Sequence, residues 1–394
     1  MAVAGSTTNP FDRTRVKEGK TLRSRLISLD VFRGATLAAM ILVNNPGDGY
    51  ASYMPLRHSE WNGWTPTDLI FPFFLFIVGV ALAFSLCSRM LRGETRWKLV
   101  QHIFWRGLLL FALGIFLNGF PNHYQLSTLR VFGVLQRIAI CYVISAVLEL
   151  WVGWKGQVAI IAICLAGYWI LMRYVPIPGI GIPSRDVALL DPDKNLVAWL
   201  DRKLLIGHLY EGTRDPEGLL STIPAIATCL LGLLTGKWLR SPRGSGIKLA
   251  GMLAVGIVAF ALGEIVGTWF PINKKLWTSS YVLLTAGLAI IALAICYWVL
   301  DVKRWRGRWT MPFLVFGMNS IAAYALSELA PGILDRFTLR TGIGRIPLRE
   351  IIYQHWIAPF ASPAHASLLY AVAYVFGCWL VMLVLYRKHI FLKI

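Results

Sequence analysis

RHSEWNGWTPTDLIFPFFLFIVGVALAFSLC, residues 57–87, is the stretch on which the reading of this chain turns. From Leu69 to Cys87 it is almost wholly apolar and long enough for a helix to cross the ~30 Å hydrocarbon core of a bilayer. The residues before it start that helix. Thr65 stands at the N-cap, Pro66 at the first helical position, and Asp68 three residues after the cap, at capping-box spacing. Ahead of the cap lie His58, Trp61, Asn62, Gly63 and Trp64. A titratable ring is thus delivered to the mouth of a membrane-spanning segment.

The same apolar pattern recurs along the chain. It predicts ten spans, at 26–45, 67–88, 104–118, 133–152, 157–174, 219–238, 248–268, 279–299, 311–330 and 366–386. The expected fold is all-α, a polytopic integral membrane helical bundle forming one transmembrane domain, 26–394, after a basic tail, 1–25. Composition agrees: 56% of residues are hydrophobic, mean hydropathy is +0.59, and 15% are charged, against about 25% in soluble domains. The first apolar run follows the basic tail and lacks an A-x-A exit, so no cleaved signal peptide is expected.

The net charge of +19 would suggest nucleic acid in a soluble protein. Here it fits basic loops held at anionic lipid on the cytoplasmic side, with no nucleic-acid partner. Lys and Arg are densest in the tail and in the loops near 89–106, 237–248 and 303–308, which predicts both termini cytoplasmic and the His58 loop outside. The six cysteines, at 87, 141, 164, 229, 296 and 378, all lie in apolar runs with no CxxC spacing, and read as core residues. Tryptophan-rich spans suggest a homodimer.

Polar residues inside spans are costly and so informative. Asp30 and Arg33 share one helix face in the first span, as a local ion pair or as a contact for a cytoplasmic anion such as a phosphate. Asn44 ends that span, as a cap or as a donor to a reacting carbonyl. Arg33 and Asn44 are about 16 Å apart at ~1.5 Å per helical residue, so one face can touch both ends of a long, anionic-headed molecule. Gln136 and Arg137 in span four, Asp215 and Glu217 before span six, Asn273 and Lys274 after span seven, Asn319 within span nine and Glu328 near its end complete the set. Most fall toward the outer face, which places a site there. No HExxH, GxSxG, Walker or GxGxxG pattern occurs, and no His/Cys spacing suits a metal.

Several ordered motifs carry a resemblance: Ser28-Leu-Asp-Val-Phe-Arg-Gly34, Val43-Asn44, His58-Ser-Glu-Trp-Asn-Gly63, Thr67-Asp-Leu-Ile-Phe-Pro72, Val134-Leu-Gln-Arg137, Asp215-Pro-Glu-Gly218, Asn273-Lys274 with Leu276-Trp277, Gly317-Met-Asn-Ser320 and the ending Tyr386 to Ile394. With these the chain resembles the heparan-alpha-glucosaminide N-acetyltransferase family, lysosomal membrane enzymes that acetylate terminal glucosamine on heparan sulfate. It looks like a bacterial-type member lacking the animal enzymes' extra N-terminal luminal portion, and so implies the bacterial inner membrane. Two departures bear on the acceptor. Ser327 precedes Glu328 where the family has histidine, and the loop 176–217 is shorter than in the animal enzyme.

The resemblance implies acetyl-CoA as cytoplasmic donor, an amino-sugar acceptor on the far side, and His58 as the catalytic histidine. An imidazole titrates near ~6.5, so His58 can take the amine proton or accept the acetyl group itself. Asp68 is a candidate to orient it. Asn44, Asn62 or Asn273 could hydrogen-bond the oxyanion. Asp30, Arg33, Asn273, Lys274 and Asn319 are the expected donor contacts. Trp61, Asn62, Arg137, Glu217 and Glu328 are expected on the acceptor side, with Arg137 and Glu217 as a closing ion pair. A transporter or flippase without acyl chemistry is the competing class, since spans broken by Pro46, Pro72 and Pro224 suit one.

Overall fold

The computed structural model describes residues 26–121, 124–341 and 344–392; the basic tail and His123 lie outside the described residues. The helices are α1 (Ile27–Asn44), α2 (Ile70–Leu91), α3 (Arg96–Gly119), α4 (Val134–Trp151), α5 (Trp154–Tyr174), α6 (Leu196–Leu204), α7 (Thr222–Arg240), α8 (Ser245–Gly267), α9 (Ser279–Tyr297), α10 (Met311–Met318), α11 (Ser320–Arg336), α12 (Leu348–Trp356) and α13 (Pro363–Arg387). A hairpin of β1 (Thr338–Thr341) and β2 (Gly344–Pro347) interrupts the helical order once, pairing antiparallel with Thr338 opposite Pro347.

Among the described residues nine helices are long and apolar enough to cross a membrane, or ten when the bent pair of α10 and α11 is counted as one span. The chain is a polytopic helical membrane bundle. Two spans differ from the sequence expectation. The third begins at Arg96 rather than 104, because its first turns bury Leu99, Val100 and Ile103 while Arg96, Lys98 and His102 dilute its hydropathy. The ninth is not one helix: α10 and α11 meet at 78°. The break is at Asn319, whose backbone leaves helical geometry at φ −122°, ψ 39°. Its side chain donates to the Ile390 carbonyl at 3.0 Å and accepts from the Leu392 N–H at 3.1 Å. The C-terminal segment folds back onto the break and takes up its amide.

Helices in lipid gain little from apolar contact alone, so close backbone packing matters more. α1 meets α10 where Gly34 faces the Phe313 carbonyl and Gly317 faces the Asp30 carbonyl, with no room for a Cβ at either position. α2 and α7 cross the same way at Gly79 and Gly232. The central core joins α2, α3, α4, α5, α7 and α9 around Leu75, Ile103, Tyr142, Leu230 and Tyr281. α8 and α13 turn apolar faces outward, with Val258, Leu262, Phe376 and Val384 exposed, as helices in contact with lipid do.

The segments 45–65, 124–133, 175–221 and 268–278 gather at one end of the bundle, joined by hydrogen bonds between them. Gly63 N–H reaches the Ile272 carbonyl at 2.8 Å, His208 Nδ1 the Leu129 carbonyl at 2.7 Å, and Trp61 Nε1 the Leu190 carbonyl at 2.8 Å.

Candidate active site

The site is built at the start of α2. Pro66–Leu69 forms a 3-10 turn leading into the helix, with Thr65 as its cap. Asp68 is fully buried, and its two oxygens do different work. Oδ2 accepts from Thr65 N at 3.0 Å, the reciprocal arm of a capping box, and from Ser59 N at 3.0 Å. Oδ1 accepts from His58 Nδ1 at 2.8 Å. A carboxylate can only accept, so Nδ1 carries the proton and Nε2 presents a lone pair. Tyr281, from α9, fixes the turn by donating to the Asp68 carbonyl at 2.5 Å. The His58 side chain is 49% exposed, so the ring is within reach of an incoming molecule.

The loop after α8 supplies the opposing wall. Asn273 is buried; its Oδ1 accepts from Leu276 N at 2.9 Å and its Nδ2 donates to the Trp61 carbonyl at 2.9 Å and Asn62 Oδ1 at 3.3 Å. It ties the two loops together, and this turn throws Lys274 inward. Lys274 Nζ lies 3.3 Å from Asp68 Oδ1, 2.9 Å from His58 Nδ1 and 3.5 Å from His58 Nε2. Burial pulls the Lys274 ammonium below its ordinary range, against the opposing charges of Asp68 and Glu217. Gly63 sits at φ +94°, a left-handed turn that returns the W-N-G-W segment toward the helix start and that a residue with a Cβ adopts only under strain.

Trp61 is half-buried beneath two cations, Arg214 at 4.9 Å and Lys275 at 5.9 Å from its ring centre. Glu211 holds both, at 2.5 Å from Arg214 and 2.8 Å from Lys275, and they keep its carboxyl below the usual range although burial acts the other way. Asn62 is exposed.

Glu217 pairs with Arg130 and not with Arg137, which corrects the expected closing ion pair. Arg130 clasps Asp215 with two hydrogen bonds, 2.9 and 2.7 Å, also bonds Glu217, and lies 4.3 Å from the Tyr210 ring centre. Burial opposes its charge, but the two carboxylates outweigh that and hold the guanidinium above its usual range. Arg137 is fully buried under α7: Nη2 donates to the Gly218 carbonyl at 3.1 Å and Ser221 Oγ at 2.5 Å, and the guanidinium lies 5.1 Å from the Trp277 ring centre. Its Nε and Nη1 have no partner among the described residues. Asp201, from α6, meets the same turn, accepting from Leu219 N at 3.1 Å. Arg130 is the residue that sequence reasoning passes over; the signal was two acids flanking Pro216, which need a cation once buried.

The remaining candidates stand on α1, at the break between α10 and α11, and on α11. Asp30 and Arg33 form the expected local pair at 3.6 Å, with Arg33 also reaching the Gly317 carbonyl at 3.4 Å. Asn44 is exposed at the end of α1, and Glu328 is exposed on α11. Asn319 is held by the C-terminal segment. Between α11, α12 and α13 lies an apolar cavity of about 300 Å³ walled by Leu326, Leu334, Ile352, Tyr374 and Val381; His58 does not line it.

The arrangement at the start of α2 is a half-exposed imidazole with one nitrogen fixed by a buried carboxylate, beside a lysine. Such a group can take a proton from a nucleophile and return it to a leaving group. Comparison with known proteins gives three findings. Residues 25–265 match the family model described as heparan-alpha-glucosaminide N-acetyltransferase, catalytic. The chain is 31% identical to the Homo sapiens heparan-alpha-glucosaminide N-acetyltransferase over 434 residues, covering 95% of this chain and 60% of that protein. It is 32% identical to the Mus musculus protein of the same name over 365 residues, covering 78% of this chain and 54% of that one. The chain thus spans somewhat over half the length of these relatives.

Proposed function

The chain belongs to the heparan-alpha-glucosaminide N-acetyltransferase family, and from that premise we propose that it moves the acetyl group of acetyl-CoA to the amine of a glucosamine-type sugar. Acetyl-CoA is a substrate here. It enters from the cytoplasm and the sugar is met on the far side of a bacterial inner membrane, with both chain termini cytoplasmic.

The observation that carries the reading is the His58–Asp68 pair, Nδ1 to Oδ1 at 2.8 Å, on a half-exposed ring. In direct transfer the amine nitrogen bonds to the acetyl carbon while its proton passes to Nε2. The carbon–sulfur bond then breaks, and the departing thiolate takes up that proton from the imidazolium. Asp68 holds the tautomer and offsets the charge that forms on the ring. Asp30 and Arg33, at the opposite end of α1, are offered as contacts for the phosphates of CoA. Trp61, Asn62 and Glu328 are offered to the sugar, and Asn44 to the acetyl carbonyl. Asn273 supports the site by holding the Trp61–Asn62 loop.

The test uses purified full-length protein in detergent with labelled acetyl-CoA and a panel of amino sugars. The expected result is N-acetylated sugar from wild type and none from His58→Ala, which still binds acetyl-CoA. Turnover in His58→Ala at the wild-type rate would remove His58 from the mechanism. Initial-rate patterns separate direct transfer, which requires both substrates together, from an acetyl-histidine route, which gives ping-pong kinetics.

A further inference from the structure

Lys274 stands where an amino acid that only contacts the donor's head group need not stand. Its ammonium lies against the His58 ring, 2.9 Å from Nδ1 and 3.5 Å from Nε2. Nδ1 donates to Asp68, so the lysine does not bond that nitrogen; the two donors share Asp68 Oδ1 as acceptor, at 2.8 and 3.3 Å. An ammonium has three donors, and the contact with Asp68 occupies one. A nucleophile whose proton is taken by Nε2 sits about 3 Å from that nitrogen. The carbonyl oxygen on the carbon it attacks is then one bond further on, within reach of Nζ. The geometry is enforced from behind, because Asn273 pins the loop to Trp61 and Asn62, and Lys274 is about one-fifth exposed.

We propose that Lys274 is a second catalytic residue, an ammonium that stabilises the oxyanion of the tetrahedral intermediate beside the His58 ring. This inference rests on the acetyl-transfer reading above. As the amine nitrogen bonds to the acetyl carbon, the carbonyl π pair moves onto oxygen and the amine proton moves to His58 Nε2. Lys274 donates to that oxygen throughout and gives up no proton. When the oxygen pair re-forms the carbonyl, CoA leaves as thiolate and takes the proton from His58. The ammonium has a second consequence. Its charge opposes the imidazolium that Asp68 favours. The charged groups acting on Lys274 are Asp68 from the turn before α2, Glu217 from the turn before α7, and its neighbour Lys275.

The experiment compares Lys274→Met, Lys274→Arg and His58→Ala in the full chain, with labelled acetyl-CoA and glucosamine as probe acceptor. It reads kcat, acetyl-CoA affinity by calorimetry, the pH–rate profile and Tm. Lys274→Met is expected to lower kcat by about 10²–10³-fold, the cost of removing one oxyanion donor, with acetyl-CoA affinity changed by less than about threefold. Its acidic limb should move to higher pH, because a cation beside the ring is gone while Asp68 remains. Lys274→Arg should regain at least about tenfold of the loss. The inference is overturned if Lys274→Met weakens acetyl-CoA binding about tenfold or more at unchanged kcat, which makes Lys274 a donor contact. A lowered kcat with an unmoved pH profile and a lowered Tm also overturns it, since that is a structural role. Full turnover in Lys274→Met with none in His58→Ala overturns this inference alone; full turnover in both removes His58 from the mechanism as well, and no acetylated product from wild type overturns the acetyl-transfer reading on which the inference rests.

Discussion

Replacing Asp68 with asparagine tests the pairing at the heart of the site while disturbing the fold least. Asparagine keeps the side-chain shape and can still offer one oxygen to the Ser59 and Thr65 N–H groups that Asp68 Oδ2 receives at 3.0 Å. What is lost is the charge facing His58 Nδ1 at 2.8 Å. A hydrogen bond to a charged group contributes about 1.5–3 kcal/mol, and each 1.4 kcal/mol is about tenfold in rate. Losing that bond to the imidazolium formed in the transition state therefore costs about 10–150-fold. A second loss adds to it. With its oxygen held by Ser59 and Thr65, the asparagine turns its NH₂ toward His58, making Nδ1 an acceptor and moving the ring proton to Nε2, the nitrogen that must accept. Together these effects predict a fall in kcat of about 10²–10⁴-fold, with acetyl-CoA affinity within about threefold of wild type. The assay is steady-state transfer of label from acetyl-CoA to glucosamine, with calorimetry for binding. A kcat within about threefold of wild type would refute the reasoning, because it would mean that the carboxylate caps the helix and nothing more.

Arg130→Met leaves Asp215 and Glu217 buried without their cation and should cost about 3–5 kcal/mol, seen as a lowered Tm in detergent; adding Asp215→Asn and Glu217→Gln to that variant should recover much of the loss. Gly317→Ala puts a Cβ against the Asp30 carbonyl at the α1–α10 crossing and should destabilise by about 1–3 kcal/mol; an unchanged Tm would show that the two helices can part freely. Burial pushes the Asp201 carboxyl up to about 6. Its folded-state value lies above its unfolded one, so the stability it adds is present at low pH and is lost as pH rises through about 6. Asp201→Asn should therefore gain in Tm relative to wild type between pH 5 and pH 7, and a difference that is flat across that window would contradict the assignment.

The fold was legible wherever a span is apolar over most of its length, as α2 is from Ile70 to Phe84. It was less legible where burial is one-sided. The first turns of α3 bury Leu99 and Ile103 yet carry Arg96 and Lys98, so average hydropathy places the start too late. The break at Asn319 could be suspected from a polar pair in mid-span, but its cause lies 71 residues away in the sequence, where Ile390 receives the amide. At the site, the spacing from Thr65 to Asp68 marked the helix start, and Asp68 both caps the turn and holds His58 because each oxygen has its own partners. Pairings across loops were not legible in the same way. Glu217 is 80 residues from Arg137 and 87 from Arg130 in sequence, and only the packing of the loops selects Arg130. Lys274 likewise reads from sequence as a donor contact, and its contact with His58 depends on how Asn273 ties one loop to another.

The most direct test of the account is single-turnover transfer from labelled acetyl-CoA to glucosamine by wild type and His58→Ala, each first shown to bind acetyl-CoA and to keep its Tm. Labelled N-acetylglucosamine forming with wild type and absent with His58→Ala is the predicted result. Equal product from both proteins, or label released only as acetate at the same rate from both, would contradict it.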